Sequence, residues 1–141
     1  MDGVADARAA FDAFSRRAGL ADTARWRFHV ALDEILSNVV RHGFGPGRAS
    51  ATAGDAAIEL VFGVEDGVIL IEVTDPASPF NPLEAPPPDT TSAIEARVPG
   101  GLGIALVTSL MDDVQYERRA DRNHVIMKWR VRDVASAGTD R

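Results

Sequence analysis

Glu34 and Asn38 stand four residues apart in Ala31-Leu-Asp-Glu-Ile-Leu-Ser-Asn-Val-Val-Arg-His-Gly43. On a helix that spacing sets a carboxylate and a carboxamide one turn apart on the same side. An amide oxygen can ligate a hard cation and a carboxylate can take a proton, so the pair suits metal-assisted acid–base chemistry in one cavity. Arg41 and His42 continue the line. Asp75 stands where an apolar run ends and is placed to accept a hydrogen bond from a ligand amine. Gly100-Gly-Leu-Gly103 comes before Ile104, Leu106, Val107 and Leu110. That is a glycine turn feeding a helix N-terminus, where free N–H groups can seat a phosphate. Each motif also has a plainer use: a solvated helix face, a turn-initiating Asp before Pro76, and a tight turn ahead of a core helix.

The elements that must position these residues follow from periodicity. Phe28, Leu32, Ile35, Leu36 and Val39 form the apolar stripe of the Glu34/Asn38 helix, which Asp22 or Thr23 caps and Gly43 closes. An earlier helix over residues 4–18 carries Ala7, Ala10, Phe11, Phe14 and Ala18, with Arg16 and Arg17 at its negative end and Gly19 as its stop. Trp26 is expected to pack on that first helix. Gly43-Phe-Gly-Pro-Gly47 and the polar stretch to Gly54 read as a loop, either a plain turn or a place where backbone approaches a ligand. Ile58, Leu60 and Phe62 alternate, Asp66-Gly67 turns, and Val68–Thr74 follows as a nearly continuous apolar strand.

Prolines 76, 79 and 82 take the chain out of the sheet, and residues 81–99 read as a flap with Ile94 and Val98 as anchors. The glycine turn follows this Pro-rich stretch rather than a strand, so it is not a dinucleotide fingerprint. It also lacks the Gly-Lys-Ser/Thr of a P-loop. A final hairpin joins residues 114–118 to 124–131, with Val125, Met127, Trp129 and Val131 toward one face, and residues 133–141 form a frayed tail. The order predicts one α+β domain over residues 1–132. It is a two-layer sandwich with helices on one face of a mixed, mainly antiparallel sheet.

Composition narrows the function. At 141 residues, with 45% apolar and 26% charged residues, the chain can bury one core. A net charge of -6 argues against broad nucleic-acid binding and leaves a polyanionic ligand dependent on local devices. There are no cysteines, hence no disulfide or thiolate metal site. No apolar run reaches the roughly 18–20 residues of a membrane span, and no signal pattern opens the chain. A cytoplasmic location is expected.

Taken in order, Glu34-x-x-x-Asn38, Asp75, the flap and Gly101-x-Gly103 resemble the N, G1 and G2 boxes of the GHKL ATP-binding family, the Bergerat fold. Leu32-Asp-Glu-Ile-Leu-Ser-Asn-Val-Val-Arg-His42 and Gly100-Gly-Leu-Gly-Ile-Ala-Leu-Val107, with Leu110-Met-Asp112 beyond, are most similar to the stand-alone bacterial anti-sigma-factor serine kinases. The resemblance spans residues 5–132, nearly the whole chain. It implies that Glu34 is the general base and that Asn38 ligates Mg²⁺ on the ATP phosphates. It further implies that Asp75 accepts from the adenine amino group, and that Gly101, Leu102 and Gly103 cradle the phosphates. His42 would line the phosphate side, and Ala77, Phe80 and Asn123 would complete the nucleotide contacts.

The chain departs from the family pattern in three places. Asp-x-Gly-x-Gly appears as Asp75-Pro-Ala-Ser-Pro79, with Ala77 and Pro79 at the glycine positions. Arg122-Asn123 stands for the usual Gly-Thr, with Asn123 in the threonine's place near adenine. No strand precedes the first helix, so that sheet edge is either absent or supplied by a partner in a homodimer. The activity implied is an ATP/Mg²⁺-dependent serine/threonine kinase that phosphorylates an anti-anti-sigma (STAS-like) protein and controls partner switching. The alternative is a nucleotide-dependent, non-catalytic module that sequesters a sigma factor or another regulator. An ATP-binding domain cut from a histidine kinase is disfavoured, because His29 and His42 lie in the helix pattern and His124 in a strand.

Overall fold

Helix α1 (Gly3–Arg17) buries Ala7, Phe11 and Ser15, one residue per turn, and stops where Gly19 takes φ +64. The left-handed glycine lets the Leu20 amide donate back to the Ser15 carbonyl at 2.9 Å, which satisfies an otherwise orphaned helix-end group. Helix α2 (Asp22–Asn38) buries Ala24, Phe28, Ala31, Leu32, Ile35, Leu36 and Asn38. Its N-cap is Ala21, with no side-chain cap, so Asp22 belongs to the first turn and complements the dipole from inside. The computed structural model describes residues 3–43, 58–84 and 101–132. The expected loop from residue 44 to Gly54, residues 85–99 of the flap and the tail over 133–141 lie outside the described residues.

A wide π-helical turn, Val39–Gly43, ends α2. Strands β1 (Glu59–Glu65) and β2 (Val68–Asp75) form a hairpin through Asp66 (φ 50) and Gly67 (φ 74), the paired left-handed geometry of a tight β-turn. A short 3-10 turn, Pro82–Glu84, follows β2. Helix α3 (Gly101–Leu110) leads into the second hairpin, β3 (Asp113–Arg119) and β4 (Arg122–Arg130). The strand order is β1-β2-β4-β3, antiparallel at every described pairing.

Ile69, Ile71 and Val73 of β2, with Val125, Met127 and Trp129 of β4, form the sheet side of the core. Phe11, Phe28, Leu32, Ile35, Leu36 and Val107 come from the helices. Phe62 of β1 stacks on Phe14 with ring centroids 5.2 Å apart and meets Phe11 at 5.8 Å, which locks α1 over the edge strand. Each fully buried side chain of this size contributes about 1.5–3 kcal/mol. Arg8 makes a two-pronged ion pair with Asp33 at 2.6 and 2.7 Å, tying α1 to α2 at the surface.

The two-layer α+β arrangement agrees with the sequence. Trp26 does not: it is 58% exposed rather than packed on α1. It falls between Ala24 and Phe28 on α2, off the apolar stripe, and amphipathic geometry overrides its size. Val131 also differs, lying beyond the end of β4 and exposed. Among the described residues no helix is long and apolar enough to cross a membrane.

Candidate functional site

One end of the core layer is polar. Asn38, Asp75 and Asn123 are buried there at 6%, 3% and 3% exposure, and buried polar side chains need a reason. All three line a cavity that opens to solvent. Helix α2 and its π-turn supply Ile35, Asn38, Val39 and His42. The turn after β2 supplies Asp75, Ala77, Ser78, Phe80 and Pro82, and β4 supplies Asn123 and Val125.

The Asn38 carboxamide is the least satisfied group in this cavity. Its Nδ2 is buried and makes no hydrogen bond. Such an orphan costs about 1–3 kcal/mol unless a ligand or water meets it. Nitrogen and oxygen of an amide exchange by a half-turn, so the same side chain can present a metal-binding oxygen there. Among the described residues no group of three or more His, Cys, Asp or Glu side chains could hold a metal on its own. A magnesium ion here would therefore rely on Asn38, water and ligand oxygens, which is its usual habit.

Glu34, one turn earlier, faces α3. A Cβ built on Gly103 would overlap Glu34 Oε2, so the absent side chain at 103 is what gives the carboxylate its place. Among the described residues no hydrogen bond or ion pair engages that carboxylate. Gly101 and Leu102 begin the same helix, and the Leu102 side chain points outward, 59% exposed. Glu34, Leu102 and Gly103 are not among the described residues that line the cavity. Helices α2 and α3 pack together, and Glu34 is the side chain that meets Gly103.

The turn after β2 departs from the glycine-rich family pattern without needing glycine. Among the described residues positive φ occurs only at Gly19, Asp66, Gly67, Ala120 and Asp121, so none falls between 75 and 84. Asp75 Oδ1 accepts from the Ala77 amide at 2.9 Å and from Asn123 Nδ2 at 3.0 Å, and none of the hydrogen bonds described for it uses Oδ2. His42 and Phe80 stack nearly parallel at the cavity, 4.3 Å between centroids and 13° between planes. An ideal α-helix would carry His42 about 100° per residue onward from Val39, and the wider turn changes that angle.

The structure thus brings Asn38, His42, Asp75, Ala77, Phe80 and Asn123 into one cavity and pairs Glu34 with Gly103. Sequence reasoning missed Tyr116 and Arg118, which bind Asn123 from β3. A signal was present: both share the alternation of Val114 along β3 and so lie on one side of that strand, which in register is the side of Asn123 and Val125.

Comparison with known proteins bears on this geometry. Residues 1–129 match the model of the histidine kinase-like ATPase domain. The chain is 31% identical over 107 residues to the serine/threonine-protein kinase BtrW of Bordetella bronchiseptica, covering 74% of this chain and 71% of that protein. It is 28% identical over 116 residues to the serine-protein kinase RsbW of Bacillus mycoides, covering 79% and 68%. A Bacillus cereus RsbW is 30% identical over 116 residues, with the same coverage.

Proposed function

Because the chain belongs to the family of histidine kinase-like ATPase domains, we propose that it is an ATP-dependent protein-serine/threonine kinase of the anti-sigma regulatory type. Its substrate in this reading is a serine of an anti-anti-sigma (STAS-like) protein, and phosphorylation switches that protein's binding. ATP and ADP occupy the cavity between α2, the turn after β2 and β4. The observation that carries the reading is the pairing on one helix of an unengaged Glu34 carboxylate against Gly103 with a buried, unpartnered Asn38 amide in the cavity. The names of BtrW and RsbW support the same activity class.

The roles follow from chemistry. Asp75 has one oxygen fixed by two N–H donors and presents the other to the exocyclic amine of adenine. Val125, Ile35 and Ala77 supply apolar walls for the ring. Asn38 would hold Mg²⁺, which would supply positive charge to offset that of the phosphates. Glu34 takes the proton of the partner's serine hydroxyl as its oxygen attacks the γ-phosphorus. The bond from that phosphorus to the β–γ bridging oxygen breaks and ADP leaves.

Calorimetry with ATP and ADP, with and without Mg²⁺, tests the binding half. Saturable binding that needs Mg²⁺, and that Asn38→Ala loses by at least about tenfold, is the expected result. No binding at millimolar nucleotide ends the reading. Labelled-phosphate transfer to a candidate partner tests the chemistry. Nucleotide binding without any transfer would leave a sequestering module in place of a kinase.

A further inference from the structure

The turn Asp75-Pro-Ala-Ser-Pro-Phe80 has no glycine, and side chains from the second hairpin determine where it lies. Asn123 is the hub. Its Nδ2 donates to Asp75 Oδ1 at 3.0 Å, to the Ser78 carbonyl at 3.0 Å and to the Ala77 carbonyl at 3.4 Å. Its Oδ1 accepts from Tyr116 Oη at 2.8 Å, Arg118 Nη1 at 3.1 Å and the Phe80 amide at 3.4 Å. Donors gather on one side of the amide and acceptors on the other, which fixes its orientation. An amide has two N–H bonds and two lone pairs, so nothing remains for a ligand. Arg118 Nη1 also donates to the Ala77 carbonyl at 2.7 Å, a charge-assisted bond from the edge strand to the middle of the turn.

We propose that Asn123, Tyr116 and Arg118 form a clamp that positions the 75–80 turn and thereby sets nucleotide affinity. This rests on the reading of the cavity as an adenine-nucleotide site. Asn123 is a positioning residue: it reaches the base only through Asp75, by holding Oδ1 so that Oδ2 is the oxygen left for the ligand. Tyr116 and Arg118 in turn hold Asn123. Side-chain hydrogen bonds do here what backbone freedom does in a glycine-rich loop, and Pro76 and Pro79 reduce the entropy that the clamp must overcome.

Three variants test the clamp by two independent measurements, Mg-ADP calorimetry and hydrogen exchange at the Ala77 and Phe80 amides, both of which are bonded inside it. Arg118 is exposed, so Arg118→Met removes two donations without opening the core. Arg118→Met should weaken Mg-ADP about tenfold, with Tyr116→Phe weaker in effect. It should also speed exchange at both amides and raise KM for ATP without lowering kcat. Asn123→Asp sets a carboxylate against Asp75, and a proton shared between the two restores one donor. Its affinity relative to the parent should therefore recover as pH falls from about 8 to about 5.5, and taking the ratio cancels the nucleotide's own protonation. Unchanged affinity and unchanged exchange in Arg118→Met would overturn the clamp, as would a pH-independent ratio for Asn123→Asp. If the parent itself does not bind Mg-ADP, the nucleotide reading falls and takes the affinity claim with it. The exchange rates then still decide whether the clamp holds the turn.

Discussion

The two ends of the candidate site solve the same problem by opposite means. At the Glu34 end, space is made by omission: Gly103 lacks the Cβ that would overlap the carboxylate, and no described hydrogen bond restrains the acid. At the Asp75 end, glycine is missing, and position is set by six hydrogen bonds converging on Asn123, with two more through Ala77. The first arrangement leaves a group able to accept a proton and move with it. The second fixes an acceptor so that it can discriminate. Chemistry is expected to be sensitive at the first end and affinity at the second.

The sharpest way to break that division is Glu34→Gln. It keeps size and shape but removes the proton acceptor, and should cut phosphoryl transfer by about 10²–10⁴ while Mg-ADP binding stays near the parent value. An equal loss in binding would erase the contrast. Gly103→Ala comes next. The added methyl meets the far end of a flexible side chain, so the fold should survive with an unchanged melting temperature. The displaced carboxylate should lower kcat by up to about 10², as a shift near 1 Å in a reacting group does.

At the opposite end, Asp75→Ala should leave kcat for ATP at saturation near the parent value and reduce the preference for adenine over guanine nucleotides about tenfold. Competition binding reads this directly.

The smallest effect lies away from both ends. Asp112 accepts from the Arg130 amide at 2.7 Å and from Arg132 at 2.6 Å, which holds its carboxyl below the usual carboxylate range. A lowered folded pKa gives stability that is complete above about pH 4 and is lost as pH falls through the folded value. Asp112→Asn should therefore melt slightly below the parent at neutral pH, with the two curves converging in acid. The site is solvent-screened, so the difference at neutral pH should be no more than about 1 kcal/mol.

Much of this was legible in the amino-acid order. The 3.6-residue stripe of α2 placed Asn38 at the edge of the buried face, and the end of the apolar run of β2 marked Asp75. The partners of those residues were not legible. Asn123 reads as a turn residue until the antiparallel register sets Arg118 opposite it. Glu34 meets Gly103 only because α2 and α3 pack together across nearly seventy residues of chain. The stack of His42 on Phe80 depends on a change of helical pitch, and no periodicity announces that in five residues. Local patterns carry the direction of a side chain. What it meets is settled by tertiary contact.

The π-helical turn at Val39–Gly43 has a consequence for chain length. An α-turn needs fewer residues to come round than the turn found here, so forcing α pitch on all five residues would turn His42 about the axis and away from Phe80. Also deleting exposed Val40 would largely offset that rotation. In this short stretch the number of residues, more than their identity, decides where the ring is aimed.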